Sequence, residues 1–373
     1  MIQVIPVTTK KQLAAFIDYP HDLYAGDPCY VPELHIAQRD LLSPGKHPFH
    51  NHSKLQGFLA YRNEKLVGRI AAIFNANHNK HVGKTEGFFG FFDCINDLEV
   101  AAALFEAAQT WLKNLAVTSI YGPVNPSTND PVGMLVDGFN QPPVAMMTYN
   151  KPYYTNLVEA LGFEKSTDLL AYHLDTTTVD KRSIQLKEVL KKRFETRGIT
   201  VRPINLKKFK EEVANILKVY NSAWAENTGF VPMTPDEFAY LAKDLKMILD
   251  KDFCLIAEKN GAFAGFALAI PDINQVLIKI KKGRLFPTGI FKLLLGLKKI
   301  DYVRVLALGV TEEHRKAGVE AYFYAHIIEQ AQRKGIRGGE ASWILEHNEL
   351  MNNGLKNLNA QPYKRYRIYR KAL

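Results

Sequence analysis

The sequence predicts two tandem α/β modules, each a mixed sheet with helices packed on it. Three observations carry the prediction. The chain has 373 residues, and at about 100–200 residues per domain two is the natural number. Apolar residues alternate at strand spacing in some stretches and recur at helical spacing in others. Similar tracts also recur at one offset: Ile2 falls on Ile199 (199 − 2 = 197), Gly68 on Gly265 (265 − 68 = 197) and Tyr172 on Tyr369 (369 − 172 = 197). Self-similarity at a fixed period marks a repeated architecture.

The elements follow in the same order in both halves. A short β-run opens each, Ile2–Ile5 before Pro6 and Ile199–Arg202 before Pro203. An amphipathic helix comes next; in the second half Phe209, Val213, Ile216, Leu217 and Tyr220 share one face. A hairpin follows. Phe58–Arg62 and Leu66–Phe74 flank Asn63-Glu64-Lys65, and Phe253–Glu258 and Phe263–Ile270 flank Lys259-Asn260-Gly261. A further strand, Val303–Val310 in the second half, leads to a long helix from Val319 to Lys334; the first-half helix runs from Leu98 to Leu115. Each half closes with strand, helix and strand, the last strands being Leu169–Leu174 and Tyr366–Arg370. The expected organisation is a first module over 1–175, a linking helix over 176–198 and a second module over 199–373. Each half has one extra segment, the loop Gly122–Pro152 in the first and Ile273–Tyr302 in the second.

Composition narrows the function classes. Hydrophobic residues make up 47% and charged residues 23%, which is ordinary for a water-soluble globular chain. The net charge of +10 favours anionic partners such as nucleotides, phosphates and anionic lipid surfaces. No Lys/Arg stripe interleaved with aromatics is present, which argues against nucleic acid. Cys29, Cys94 and Cys254 are too few and too scattered for a disulfide framework or a CxxC site, so a reducing cytoplasm is expected. The N-terminal MIQVIPVTTKKQL lacks the pattern of a signal peptide. The apolar run Leu285–Leu297 is too short to span a bilayer and is broken by Pro287 and Lys292. The surrounding segment alternates Lys with bulky apolar residues. It reads as a basic helix covering the inter-module seam, as a surface for the anionic inner face of a membrane, or as the lining of a lipid-acyl channel. His47, His50, His52, His78 and His81 have no helix-borne HExxH and no Cys partner, so they read as surface residues with no metal.

The chemistry concentrates at Val303–Glu320, VRVLALGVTEEHRKAGVE. A strand ends at Val310 and a helix begins near Gly318. A helix N-terminus offers unpaired amides and a positive dipole end, and successive loop amides can cradle a diphosphate. Gly318 lets the backbone approach closely, and Arg315 and Lys316 add positive charge.

Arg315-Lys316-Ala317-Gly318-Val319, in its strand–loop–helix context and with Glu346-x-Asn348 after the next strand, resembles the R-x-x-G-x loop of the GNAT superfamily of N-acetyltransferases. The likeness covers about 170 residues of the second half. The whole chain also resembles a bacterial two-module GNAT-like family through Gly122–Phe139, Gly283–Asp301 and Ala341–Asn348. The resemblance implies that amides at Arg315, Lys316, Ala317, Gly318 and Val319 bind the CoA diphosphate. It also implies a splayed strand whose amides at Leu308, Gly309 and Val310 take the pantetheine arm, and it puts Asn348 on the pantetheine, against the alternative of a helix N-cap. Glu346 is the candidate base for the amine, and Tyr366, among Tyr363 and Tyr369, a candidate acid. Asn125, Asn129 and Asp130 in the long first-half loop are candidate substrate contacts.

Three features depart from the family pattern. Glu320 stands where Gly or Ala is usual, Leu355 where many members carry a Tyr, and Leu358-Asn359-Ala360 where Leu161-Gly162-Phe163 keeps the usual ending in the first half. The first-half equivalent of the loop, Phe92-Asp93-Cys94-Ile95-Asn96-Asp97-Leu98-Glu99, has three carboxylates and no Arg. One CoA site is therefore expected, in the second module. The reading is an acyl-CoA-dependent N-acyltransferase. It would use acetyl-CoA or a longer acyl-CoA as co-substrate and pass the acyl group directly to a small-molecule or lipid-like amine. Its alternatives are a transferase with another activated donor, such as an aminoacyl-tRNA, and a non-catalytic acyl- or membrane-binding protein.

Overall fold

A computed structural model describes residues 1–179, 181–224 and 230–373. From the N-terminus come β1 (Ile2–Pro6), α1 (Lys10–Leu23), α2 (His35–Leu41), β2 (Ser53–Arg62), β3 (Lys65–Asn75), α3 (Ala76–Val82), β4 (Glu86–Cys94), α4 (Leu98–Lys113), β5 (Ser119–Gly122), β6 (Met134–Asp137), α5 (Tyr154–Ala160) and β7 (Glu164–Asp175). Then follow α6 (Lys181–Thr196), β8 (Ile199–Pro203), α7 (Phe209–Ala223), α8 (Pro235–Leu245), β9 (Cys254–Lys259), β10 (Ala262–Pro271), α9 (Asn274–Leu277) and α10 (Gly289–Leu297). The chain ends with β11 (Tyr302–Val310), α11 (Val319–Arg333), β12 (Gly338–Leu345), α12 (Glu349–Asn357) and β13 (Gln361–Ala372).

Two compact units result. Unit 1 is Met1–Leu169 with Ile273–Lys298 and Lys364–Leu373; unit 2 is Leu170–Asp272 with Lys299–Tyr363. The units are not contiguous halves of the sequence. The insertion from Ile273 and most of the last strand group with unit 1, and the end of β7 with unit 2. β13 is in unit 1 because it pairs antiparallel with β5, from Tyr369↔Gly122 to Ala372↔Ser119. Periodicity identifies a strand but does not name its neighbour.

In unit 1 the strand order is β1-β2-β3-β4-β5-β13, with β6 on β13. β1 to β4 pair antiparallel and β4 pairs parallel to β5, so α4 is the crossover that a parallel pair requires. Asn63 and Glu64 turn the β2–β3 hairpin at φ 50 and 63, the left-handed pair of a tight turn. One core lies between the sheet and α4–α5. Phe89, Phe105 and Phe163 meet there with ring centroids 5.0, 5.3 and 4.9 Å apart, and Leu104, Ala108 and Leu112 are fully buried.

In unit 2 the order is β8-β9-β10-β11-β12-β7. Its opening rung Ile199↔Lys259 repeats Ile2↔Arg62 of unit 1 at one shift (199 − 2 = 197, 259 − 62 = 197). α6 and α11 cover one face, burying Leu190, Phe194, Phe323 and Ile327. α7 covers the other with Ile216 and Val219 against Ile256 and Phe266. The segment expected to link the modules thus contains a helix whose apolar side belongs to the core of unit 2.

Candidate functional site

The strands of unit 2 fork. β11 and β12 are parallel over four rungs, Tyr302↔Gly338 to Val305↔Ala341. Both strands continue, to Val310 and Leu345, without further pairing to each other. β11 stays bound to β10 as far as Gly265↔Val310, with a bulge between Leu268 and Ala269. A bulge bends its strand and raises the local twist, which turns β11 away from β12. Leaving a ladder frees main-chain groups along the open edge, here at Leu306–Val310. Gly309 is closed in on its side-chain side, where a Cβ would come 2.4 Å from Trp224.

Beyond Val310 the chain makes one 3-10 turn, Glu312–His314. Lys316 (φ 71) and Gly318 (φ 91) are then left-handed, and Gly318 caps α11 with no side-chain hydrogen bond. Among the described residues the amides of Lys316, Gly318, Val319 and Glu320 donate to no acceptor. Their arrangement, bare amides at a helix N-terminus, is the geometry that suits an anion. Among the described residues none of these amides donates to the Glu320 carboxylate; Tyr324, one turn along the helix, has its hydroxyl pushed up first by burial and then by the Glu320 charge. Arg315 donates from Nη2 to the Ala223 carbonyl at 3.1 Å, so it ties the loop to the C-terminal end of α7. Lys316 is exposed.

Beside the fork lies a buried polar cluster that the sequence reading missed. Arg304 and Glu340 form the rung below the last one and are 0% and 1% exposed. The Arg304 Nε donates to the Ser342 Oγ at 3.0 Å, and its guanidinium sits 4.4 Å over the Trp343 ring. The Tyr363 hydroxyl donates to Glu340 Oε2, while Glu340 Oε1 has no partner among the described residues. His173 Nδ1 and the Tyr302 hydroxyl are 2.6 Å apart. A buried carboxylate oxygen without a partner is costly and rare. The signal in the sequence was a charge inside two apolar strands, YVRVLALGV and GGEASWIL.

Asn348 caps α12, its Oδ1 accepting from the Met351 amide at 3.1 Å. Glu346 is exposed in the turn after β12. Tyr366 is fully buried on the β13 rung opposite Leu135; it belongs to unit 1, while the loop belongs to unit 2. Asp130 Oδ2 accepts from the Ser127 amide and hydroxyl at 3.2 and 2.6 Å, and the Asn129 amide donates to Ser127 Oγ at 3.2 Å. His78 is bonded to Glu86 at 2.8 Å and His50 to the Leu41 carbonyl at 2.9 Å. Among the described residues no group of three or more His, Cys, Asp or Glu has a ligand arrangement.

Unit 1 fills its own fork. β4 and β5 pair only from Glu86↔Ser119 to Phe88↔Tyr121. The chain after β5 then folds back into the gap: the Val124 amide donates to the Phe89 carbonyl at 2.9 Å, and Asn125 Oδ1 accepts from the Phe91 amide at 2.6 Å. A Cβ on Gly90 would stand 1.8 Å from the Val124 oxygen. At the start of α4 the Asp97 side chain accepts from the Val100 amide at 3.1 Å and pairs with Arg62 at 2.8 Å. A carboxylate of the chain itself occupies that helix end.

Comparison with known proteins agrees with this architecture. Protein YghO of Escherichia coli (strain K12) is 38% identical over 372 residues, 98% of this chain and 94% of that protein. Bacterial ceramide synthase of Caulobacter vibrioides is 35% identical over 100% of this chain and 98% of its own length. No family model matches the sequence. The tandem GNAT protein from the clavulanic acid biosynthesis pathway aligns over 100% of this chain and 98% of its own, with TM-score 0.59 and 12% identity. The GCN5-related N-acetyltransferase from Sphaerobacter thermophilus aligns over 99% and 95%, with TM-score 0.52 and 11% identity; at these identities the likeness shows the fold. The chain has the fold of the tandem GNAT proteins and belongs to the family of protein YghO and bacterial ceramide synthase.

Proposed function

We propose that this protein transfers an acyl group from acyl-CoA to the primary amine of a long-chain, lipid-like acceptor, forming an amide, with one acyl-CoA site, in unit 2. The observation that carries the reading is the open fork of β11 and β12 beside the bare amides of Lys316, Gly318, Val319 and Glu320. A fork supplies edge amides for an extended arm, and the nest supplies donors for a diphosphate at the arm's end. The filled fork and capped helix of unit 1 support a single site. The relative named bacterial ceramide synthase supports the acceptor class, since a ceramide is the amide of a fatty acid and a long-chain amino alcohol.

In the proposed reaction the amine nitrogen attacks the thioester carbonyl carbon and the carbon–sulfur bond breaks. CoA departs as a thiolate and is then protonated. The amine gives up its proton to a carboxylate, and we assign that role to Glu340 rather than to the exposed Glu346. A base must lie within reach of the proton it takes, and Glu340 sits one rung below the fork with one buried oxygen that has no partner among the described residues.

Calorimetric titration with acyl-CoAs of increasing chain length, followed by mass spectrometry of products from long-chain amines, tests the proposal. Acyl-CoA binding is expected, together with an amide product. Gly318→Val puts a branched residue at φ 91 against Leu190 and is expected to weaken acyl-CoA binding about tenfold or more. Glu340→Gln is expected to leave acyl-CoA binding intact and lower kcat by about 100-fold, with Glu346→Gln close to the parent. No binding of any acyl-CoA would remove the enzyme reading. Equal losses in the two glutamate variants would remove the assignment of the base.

A further inference from the structure

The insertion Ile273–Lys298 belongs to unit 1, and its inner side is fully engaged there. Leu277 and Ile280 are buried with Val31, and Leu293 packs against them. A Cβ on Gly296 would come 2.6 Å from Val276. Lys282 pairs with Asp22 at 2.8 Å and Arg284 with Asp18 at 2.7 Å. The segment is therefore anchored on two sides.

Its outer side is apolar. Phe291, Leu294 and Leu295 of α10 are 65%, 57% and 72% exposed, and Phe286 in the preceding turn is 78% exposed. Residues three and four apart share one helix face, so Phe291, Leu294 and Leu295 form a single ridge. Water-soluble helices normally turn such a ridge inward. This one is displayed although the helix already has its inward contacts. Charge frames it: between Ile273 and Ile300 the sequence has seven Lys or Arg and no Asp or Glu, and Lys281, Lys292 and Lys298 are exposed. No helix among the described residues is long and apolar enough to cross a membrane.

We propose that α10 and the turn at Phe286 lie in the surface of an anionic lipid bilayer. The ridge enters the boundary between headgroups and acyl chains, and the lysines meet the headgroup phosphates. An apolar face of large side chains framed by Lys is the composition of an in-plane membrane helix, and exposed lysines with no carboxylate partner among the described residues add attraction to anionic lipid that salt screens. A second copy of the chain is the rival occupant. The exposed Lys281, Lys292 and Lys298 disfavour it, because a symmetric contact would set like charges against each other.

The test needs no substrate, so its outcome is independent of the acyl-transfer proposal. The whole protein is sedimented with phosphatidylcholine vesicles and with vesicles that also contain phosphatidylglycerol. Binding to the anionic vesicles is expected, weakening as salt rises. Phe291→Asp with Leu295→Asp is expected to reduce it about tenfold or more, and Lys281→Glu with Lys298→Glu to remove its salt dependence. The native cysteines are buried, so Leu294→Cys can carry an environment-sensitive dye. That dye should shift to the blue with anionic vesicles, which keeps the idea testable if the double variant misfolds. Three results would each overturn the proposal: no binding of the parent to either vesicle, parent-like binding by the folded aspartate variant, or a dye that shifts with protein concentration and not with lipid.

Discussion

At the scale of single residues, the same physical demand is met in opposite ways in the two units. A strand that leaves its neighbour exposes amides that need acceptors. In unit 1 Asn125 supplies one, taking the Phe91 amide on Oδ1 and donating from Nδ2 to the Pro131 carbonyl at 3.0 Å. Asn125→Ala should therefore destabilise unit 1 by about 1–3 kcal/mol in denaturant titration and leave acyl-CoA binding unchanged. A loss of binding would move the site to unit 1. His21 gives a second residue-scale prediction. Burial, and then the Arg69 charge, lower its pKa from 6.5 to about 4. The unfolded chain thus binds a proton that the folded chain refuses. Stability from this site is complete above pH 6.5 and falls as pH drops toward about 4. A His21→Gln variant should show a flatter stability curve across that window, and an unchanged slope would refute the assignment. Gly318 and Arg315 were legible in the sequence as a loop at a helix start. That Arg315 would hold the Ala223 carbonyl was not, because α7 lies about 90 residues away in sequence.

At the scale of elements, local chemistry sets starts and turns. Thr9 and Gln12 form a reciprocal capping box on α1, and Thr234 and Glu237 form one on α8, each satisfying helix donors that would otherwise be orphaned. Asp97 starts α4 and also binds Arg62. Asp97→Ala should cost about 0.5–2 kcal/mol in thermal or chemical unfolding, with the loss felt in unit 1. Asn260 (φ 50) and Gly261 (φ 82) turn the β9–β10 hairpin, one residue tighter than the three-residue turn expected, since Lys259 stays in the ladder opposite Ala262. The fork could not be read from β11 itself: its apolar run is the same whether or not β12 follows it, and pairing is decided by a strand more than 30 residues on. The Glu340–Tyr363 contact joins β12 to β13 and was hidden for the same reason.

At the scale of the molecule, the final strand is the most consequential assignment. Residues 364–373 complete unit 1 by pairing with β5. Truncation after Tyr363 should raise hydrogen exchange in β5 and α4 while β9 and β10 keep their protection; the reverse pattern would contradict the grouping. The order of elements, the two hairpins, the long helices and the strand–loop–helix turn at Gly318 were determined by the sequence alone. Periodicity, turn residues and helix-end chemistry act over a few neighbouring residues. Only the tertiary structure decided which strand borders which, that one fork stays open while Asn125 and Val124 fill the other, that Glu340 is buried with an oxygen to spare, and that α10 shows its apolar ridge outward. Those outcomes depend on contacts between residues distant in the chain, and local preference contains no information about them.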